Sequence, residues 1–566
     1  MDFEKMTKEE LIEYINSLGE ELNGKYGIVW DKEKEPEKIV VDCDKYIPIL
    51  KEIKEKNINN DAPNNILVEG DNFHSLSVLN YTHKEAIDII YIDPPYNTGK
   101  EDEWMYNDKY VDIEDGYRHS KWLNFMEKRL KLARNLLKEK GLIFISIGDD
   151  EFAQLKLLCD KVFGERNFIT NFIWIQTTNP PSLGKIRNNM EYVLCYQKQS
   201  NSLKLYGRSS NEKDSPLANG SNNIVRVTIP KGSCHFTNVE GSLKVLKGEK
   251  KSGVILHDDI NVKDQLNENE FDIEFHSKWG QDNINVEIKK GSFFIVKDYE
   301  YFSIRYQKRS IGYVVPDKFL DPTKFDVKDN EFGRKQLEAL IGKNKFPYPK
   351  NTPLIKTLIN MYGIEKKDIT VLDFFAGSGT TGQAVLELNK KDKGNRKFIL
   401  CTNNENGICE NVTYQRIKNS ICGCKNFESL GGALRYYKTE FVDYAGTKDQ
   451  LYYDLTEKCI PMLCVKSDTY ELVEKNKEYA IYSNKDKSEY SCVYFDIFGE
   501  SYDEFISKIK QIDEHKNLYI FSLSEYVNED NFKGIKNYSI EPIPYKILDL
   551  YKNVVKMSKE SWLWSN

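Results

Sequence analysis

The run Ile87-Asp88-Ile89-Ile90-Tyr91-Ile92, followed at once by Asp93-Pro94-Pro95-Tyr96, constrains this chain more than any other stretch. Its length and apolar character predict a strand buried inside a sheet. Two consecutive prolines donate no ladder hydrogen bonds, so the chain must leave the sheet at that strand's C-terminal end. The surrounding texture agrees. Ile66-Leu67-Val68 predicts another short buried strand, ending in Glu69-Gly70-Asp71-Asn72. From Trp122 to Leu137, apolar residues recur at helical spacing. Gly141 ends that pattern, Leu142–Ile147 predicts a third strand, and Phe152–Phe163 is again helical. Strands alternating with helices predict a parallel α/β sheet.

Ligands of such sheets bind beyond the C-terminal ends of the strands. The Asp-Pro-Pro-Tyr turn places a carboxylate, free carbonyls and an aromatic face at that edge. Asp93 and the Pro94 carbonyl can each accept one N–H of an exocyclic amine, and Tyr96 can stack on the ring that carries it. A bare Asp-Pro-Pro would otherwise read as a capped turn. A second motif, Asp373-Phe374-Phe375-Ala376-Gly377-Ser378-Gly379-Thr380-Thr381, also lies between a strand pattern and a helix pattern. Gly377 and Gly379 let backbone approach a ligand closely, and the following helix N-terminus suits an anion such as a carboxylate. Alone, this turn fits a dinucleotide site or a simple tight turn equally well. It is not a P-loop, since no Gly-Lys-Ser/Thr follows. Glu405, just past the strand Phe398–Thr402, can accept ribose hydroxyls or be a solvated loop residue.

The chain has 566 residues and a net charge of −7, which argues against a protein that coats nucleic acid without specificity. Residues 180–345 carry 27 Lys+Arg against 22 Asp+Glu, so this segment is +5 and the remainder −12. Its short polar strands and many Asn, Gly and Ser residues predict a separate β-rich module. There, Lys185-Ile186-Arg187-Asn188-Asn189 and Arg305-Tyr306-Gln307-Lys308-Arg309 mix basic, aromatic and amide groups suited to phosphates and base edges. Solvated loops are the plain alternative for each. Asp282 with Glu287-Ile288-Lys289 reads as a charged hairpin. Thr7 and Glu10 form a capping box for a helix over residues 7–18. The charged start, Met1-Asp2-Phe3-Glu4-Lys5, does not read as a leader peptide, and no run of about 18 apolar residues predicts a membrane span. The 11 cysteines are scattered, several in apolar runs (Cys195, Cys401), which predicts reduced thiols and a cytoplasmic setting.

Taken with the segments Gly27–Trp30, Asn65–Asn72, Asn189–Leu194 and Arg435–Thr439, the two motifs resemble the modification (Mod) subunits of type III restriction–modification systems, which are β-class DNA adenine-N6 methyltransferases. The resemblance is strong over roughly 65–200 and 345–440 and weakest over 200–340. It implies a doubly wound, Rossmann-like methyltransferase domain with a circularly permuted motif order and S-adenosylmethionine as cofactor. The implied organisation is an N-terminal helical region (1–64), a first catalytic half (65–175), an inserted target recognition domain (176–344), a second half with the cofactor motif (345–440) and a C-terminal α/β domain for dimerisation or partner docking (441–566). Implied catalytic residues are Asp93, Pro94, Pro95 and Tyr96. Implied cofactor contacts are Asp71, Asn72, Lys345, Pro347, Asp373, Phe375, Ala376, Gly377, Ser378, Gly379, Thr380 and Glu405, with His119–Trp122 as a further pocket segment. Lys185, Arg187, Arg305, Lys308 and Arg309 are the candidate DNA contacts. The substrate would be duplex DNA with a flipped adenine. The chain would be a homodimer, partnered by an ATP-dependent restriction subunit. A solitary methyltransferase and a catalytically idle DNA-binding module are the alternatives.

Overall fold

The computed structural model describes residue 30 and residues 46–559, apart from 60–63, 99–116, 179–184, 200–202, 210–213, 238, 308–312, 364, 444–447 and 496–498. The helix expected over residues 7–18 lies outside the described residues, as do Lys308 and Arg309. The chain divides into two compact units, one formed by residues 1–204 with 318–566, the other by 205–317.

The first unit is built on a nine-stranded sheet. In chain order its strands are β1 (Tyr46–Glu52), β2 (Asn64–Glu69), β3 (Ile87–Ile92), β4 (Leu137–Ile147), β5 (Phe168–Ile175), β6 (Met190–Gln197), β7 (Thr370–Asp373), β8 (Lys397–Thr402) and β9 (Ala433–Asp443). In space they run β1-β9-β2-β8-β7-β3-β4-β6-β5. From β9 to β4 every neighbouring pair is parallel; β1 joins antiparallel at one end, and β6 pairs antiparallel with both β4 and β5 at the other. All six residues of β3 are buried, as a strand covered on both faces requires.

Helices α1 (Asn72–Thr82), α2 (Arg118–Leu136) and α3 (Phe152–Phe163) follow the early strands, and α1 packs on α2, α2 on α3. Helices α4 (Asn330–Ile341), α5 (Thr352–Tyr362), α6 (Thr380–Asp392) and α7 (Tyr414–Cys422) belong to the later part, with α5 against α6 and α4 against α7. From β3 the chain passes through α2 to β4 on one side; from β7 it passes through α6 to β8 on the other. Connections therefore diverge between β3 and β7, the switch point at which a crevice opens in an α/β sheet.

Two sequence expectations change here. The apolar run Tyr192–Tyr196 forms β6 of the large sheet, and α4 also belongs to that unit, so the compact middle unit is narrower than 176–344. Pairing with β4 fixes β6, because its buried residues would have no cover elsewhere. The expected charged hairpin is a helix, Gln281–Lys289, whose apolar positions at i, i+4 include the buried Ile284. The middle unit itself carries sheets of seven, four and two strands around its own apolar core.

The C-terminal part has a five-stranded sheet, three of its strands parallel. Its apolar face and the following helix, Tyr545–Lys559, continue the core of the large sheet: Ile543 of the sheet and Ile547 and Tyr551 of the helix join the cluster that holds Leu76, Leu79 and Ile49. The Tyr81 hydroxyl donates to Glu541 at 2.6 Å, and the Tyr551 hydroxyl donates to the Pro48 carbonyl. Cys195 and Cys401 are buried on β6 and β8, where burial pushes both thiols up. Among the described residues no helix is long and apolar enough to cross a membrane.

Candidate active site

The turn after β3 is clamped from below. Trp122 of α2 is fully buried, and its indole N–H donates to the Pro95 carbonyl at 2.8 Å. That bond satisfies both groups, so a large aromatic side chain is buried here without stranding a polar atom. Asn97 follows in a left-handed conformation, which Asn tolerates. Its amide donates to the buried Glu151 carboxylate, which also pairs with His119. Burial raises the Glu151 pKa, against the pull of Asn97 and His119. The segment His119–Trp122 thus supports the turn from beneath.

Above the clamp lies a four-residue polar cluster. The Tyr96 hydroxyl stands 3.0 Å from Asp93 Oδ1 and 3.0 Å from Glu191 Oε2, so its one proton serves one carboxylate at a time. Lys350 Nζ is 2.9 Å from Asp93 Oδ1, 3.2 Å from Glu191 Oε2 and 3.0 Å from the Tyr96 oxygen. Its three hydrogens therefore each have an acceptor. The Lys350 and Glu191 side chains are 8% exposed, Asp93 26%. Burial pulls the Lys350 ammonium down, but Asp93 and Glu191 together outweigh it and the net shift is upward. Burial raises Glu191, with Lys350 opposing. Burial, then the charges of Asp93 and Glu191, raise Tyr96. The Tyr96 ring also lies close to Gly148, where an added Cβ would sit 3.1 Å from its Cδ2.

The second motif stands beside the first, because β7 pairs with β3 through Val371–Ile89 and Leu372–Ile90. Asp373 is buried and folds the turn: it accepts from the Phe375 N–H at 3.1 Å and the Thr381 hydroxyl at 2.6 Å. Burial foremost, with Asp93 adding, pushes its carboxyl up to about 7. Gly377 and Gly379 take φ values of +47° and +78°, a region that favours glycine. Beneath the turn, the buried Arg416 of α7 donates to Ser378 Oγ at 3.0 Å, Thr380 Oγ1 at 2.7 Å and Gln383 Oε1 at 2.7 Å. Burial lowers its pKa.

Both motifs line one cleft of about 680 Å³ within the first unit. Asp93, Pro94, Pro95 and Tyr96 form one part of its wall; Asp373, Phe375, Ala376, Gly377, Ser378 and Thr380 form another, with Pro347 and Tyr348 nearby. The structure thus brings these expected residues together. Others sit apart from the lining. Asp71 caps α1 by accepting from the Phe73 N–H at 2.7 Å. Asn72 is buried, donating to the Phe374 carbonyl at 3.1 Å and accepting from Arg129. Gly379 backs against Thr413, Glu405 lies in a short turn after β8, and Lys345 lines a smaller depression against α4. Lys185 and Arg187 are exposed on the segment that leads into β6. Arg305, in the middle unit, is held by Asp214 in an ion pair at 2.7 Å.

The resemblance placed Lys350 only at the end of Lys345–Lys350, a segment similar to the one that closes over the methionine part of the cofactor, and gave Glu191 and Arg416 no role. Each is a charged residue in or beside an apolar pattern (Glu191 in β6, Arg416 in α7, Lys350 just before α5), which was the available signal.

A family model described as DNA methylase matches residues 87–417, and the chain belongs to that family. It is 33% identical over 374 residues to the Mod subunit of the type III restriction-modification enzyme StyLTI of Salmonella typhimurium, covering 61% of this chain and 53% of the relative. It is 33% identical over 383 residues to the Mod subunit of the type III enzyme EcoPI of Escherichia phage P1, covering 60% and 58%. It is 30% identical over 365 residues to the type II methyltransferase M.KpnI of Klebsiella pneumoniae, covering 63% and 84%. The chain spans a little over half the length of the two type III relatives.

Proposed function

We propose that this chain transfers the methyl group of S-adenosylmethionine to N6 of an adenine turned out of duplex DNA, as the Mod subunit of a type III system. The observation that carries this reading is the cleft shared by two motif turns, which stand side by side on β3 and β7 although 280 residues apart in sequence. The motif order along the chain is then a circular permutation of one methyltransferase domain.

The residues around Ala376–Thr380 fit the cofactor. Left-handed Gly377 lines the cleft without a side chain, left-handed Gly379 lets the turn pack against Thr413, and α6 starts at Thr380 with its N-terminus toward the turn. Phe375, Ala376, Gly377, Ser378 and Thr380, with Pro347, would hold it. When bound, S-adenosylmethionine supplies an electrophilic sulfonium methyl group. Asp93 and the Pro94 carbonyl would each accept one N–H of the adenine amine. That pair favours a pyramidal nitrogen whose lone pair points out of the base plane. The nitrogen would become cationic as its bond to the methyl carbon forms and that carbon's bond to sulfur breaks, and the Asp93 carboxylate would stabilise that charge and take the proton released. Most of the acceleration would come from positioning and preset charge. Extruding the base costs roughly a few kcal/mol, part of which the Tyr96 ring would recover by stacking. Residues 205–317 would read the duplex, and Lys185 and Arg187 of the first unit would meet phosphates.

One observation favours a second reading, a methyltransferase without a restriction partner. The chain covers 84% of the type II relative but only 53–58% of the type III ones. Labelled methyl transfer into duplex DNA, followed by nucleoside digestion, tests the activity; no label in N6-methyladenine overturns it. Recovery of an ATP-dependent nuclease with the chain from its native host separates the two readings.

A further inference from the structure

Lys350 touches both halves of the site: its side chain reaches Asp93 and its carbonyl accepts from the Thr380 hydroxyl at 3.1 Å. Both contacts to Asp93, from Lys350 and Tyr96, fall on Oδ1 among the described residues, so Oδ2 is the oxygen presented to an amine. Glu191 then matters because of the charge it adds. With both carboxylates ionised, the cluster of Asp93, Glu191 and Lys350 has a net charge of −1, which suits a nitrogen that turns cationic. Without Lys350, the Asp93 and Glu191 carboxylates would face each other across one phenol, and such a pair holds a shared proton.

We propose that Lys350 and Glu191 are positioning residues: a buried counter-charge pair that fixes the Asp93 carboxylate and the Tyr96 ring and keeps Asp93 proton-free for the target amine. This rests on the reading of Asp93 as the amine acceptor. The other ionisable groups facing the cluster are Tyr91 on β3, Asp373 at the end of β7, and Asp149 and Asp150 after β4. None is a cation, so Lys350 is the counter-charge among the described residues of this wall.

The test is methyl transfer by the full chain from pH 6 to 9, under single-turnover conditions with saturating cofactor and duplex DNA. Lys350→Met should lower the rate about tenfold or more at pH 7, with the acid limb moved upward and activity recovering toward pH 9. Glu191→Gln added to Lys350→Met removes the second carboxylate, so the double variant should recover most of the lost rate and a limb near that of the wild type. Lys350→Arg should retain more activity than Lys350→Met. Cofactor affinity by calorimetry should stay within about threefold in all variants, which separates positioning from unfolding. A pH-independent loss that the double variant does not relieve overturns the pair, as does a Lys350→Met enzyme indistinguishable from wild type. A wild-type chain that methylates no adenine overturns this inference together with the methyltransferase reading; an active wild type with either of the other outcomes overturns the pair alone.

Discussion

The two turns that wall the cleft reach the same edge of the same sheet by opposite means. The Asp93–Tyr96 turn is rigid through its prolines and acts through side chains, which three other segments complete: Glu191 from β6, Lys350 from the approach to α5, and Trp122 from α2. The Asp373–Thr380 turn acts through its backbone, with two left-handed glycines, and its side chains mostly fold inward to hold the loop. An amine acceptor of the kind proposed needs placed carboxylates, whereas a close-fitting backbone cradle needs missing side chains. Substitutions in the first turn should therefore remove chemistry and spare cofactor binding. Those in the second should do the reverse.

The largest separation is expected from Asp93→Ala. Removing a preset charge at the reacting atom typically costs about 10²–10³ in rate, and loss of the amine acceptor should reach the upper end. Cofactor affinity measured by calorimetry should change less than about threefold. A variant that still methylates adenine at near the wild-type rate would break the assignment of the turn.

Gly379→Ala probes the other side. At φ +78° an L-residue is strained by about 1–2 kcal/mol, and the added Cβ would press Thr413 Cγ2 at 3.2 Å. Cofactor affinity should fall roughly tenfold, while duplex binding, read by mobility shift without cofactor, stays intact. Equal losses in both assays would blur the proposed division.

Asp373 sharpens the comparison through pH. Its carboxyl is pushed up to about 7 by burial, so the folded state prefers the neutral acid. The unfolded chain binds fewer protons between pH 4 and 7, so stability should fall as pH rises through that window and level off above it. The wild type should lose on the order of a few kcal/mol, by denaturant unfolding, between pH 5 and 8. Asp373→Asn should lose this slope and unfold with a flatter pH dependence. A wild type that gains stability over the same window would contradict the assigned direction.

Much of this was legible because it is local. An apolar run cut by Pro94 and Pro95, or by Gly377 and Gly379, announces strand, exit and turn within a dozen residues. Phe152–Phe163 is a helix with the expected bounds for the same reason. What was not legible depends on tertiary pairing. The side of the chain to which Tyr192–Tyr196 belongs is decided by β4, whose register no short window contains. Lys350 and Glu191 become neighbours only once β6 and the segment before α5 converge. A cofactor contact at Asn72 was implied only by the resemblance. Its amide ties α1 to Phe374, a contact fixed by the folded turn and by the buried Arg129. Arg305, basic beside aromatics, satisfies its charge on Asp214, a partner 91 residues away.

The smallest effect proposed here tests whether the first turn tolerates movement at all. Gly148 follows β4 and lines the cleft, and a methyl group there would sit 3.1 Å from Tyr96 Cδ2 and 3.6 Å from Cε2. The contact is with a ring, not with backbone, so the ring can shift by a few tenths of an ångström. Its hydroxyl resists, because Asp93, Glu191 and Lys350 all meet it at 3.0 Å or through one another. Gly148→Ala should therefore lower kcat by a few-fold, an effect of less than about 1 kcal/mol on the barrier, with cofactor affinity unchanged. Adding Tyr96→Phe, which frees the ring from its anchor, should make the Gly148→Ala loss smaller than in the Tyr96 background. A larger loss in the Phe background would mean that the hydroxyl network does not hold the ring, and that the stiffness of the first turn comes from its prolines alone.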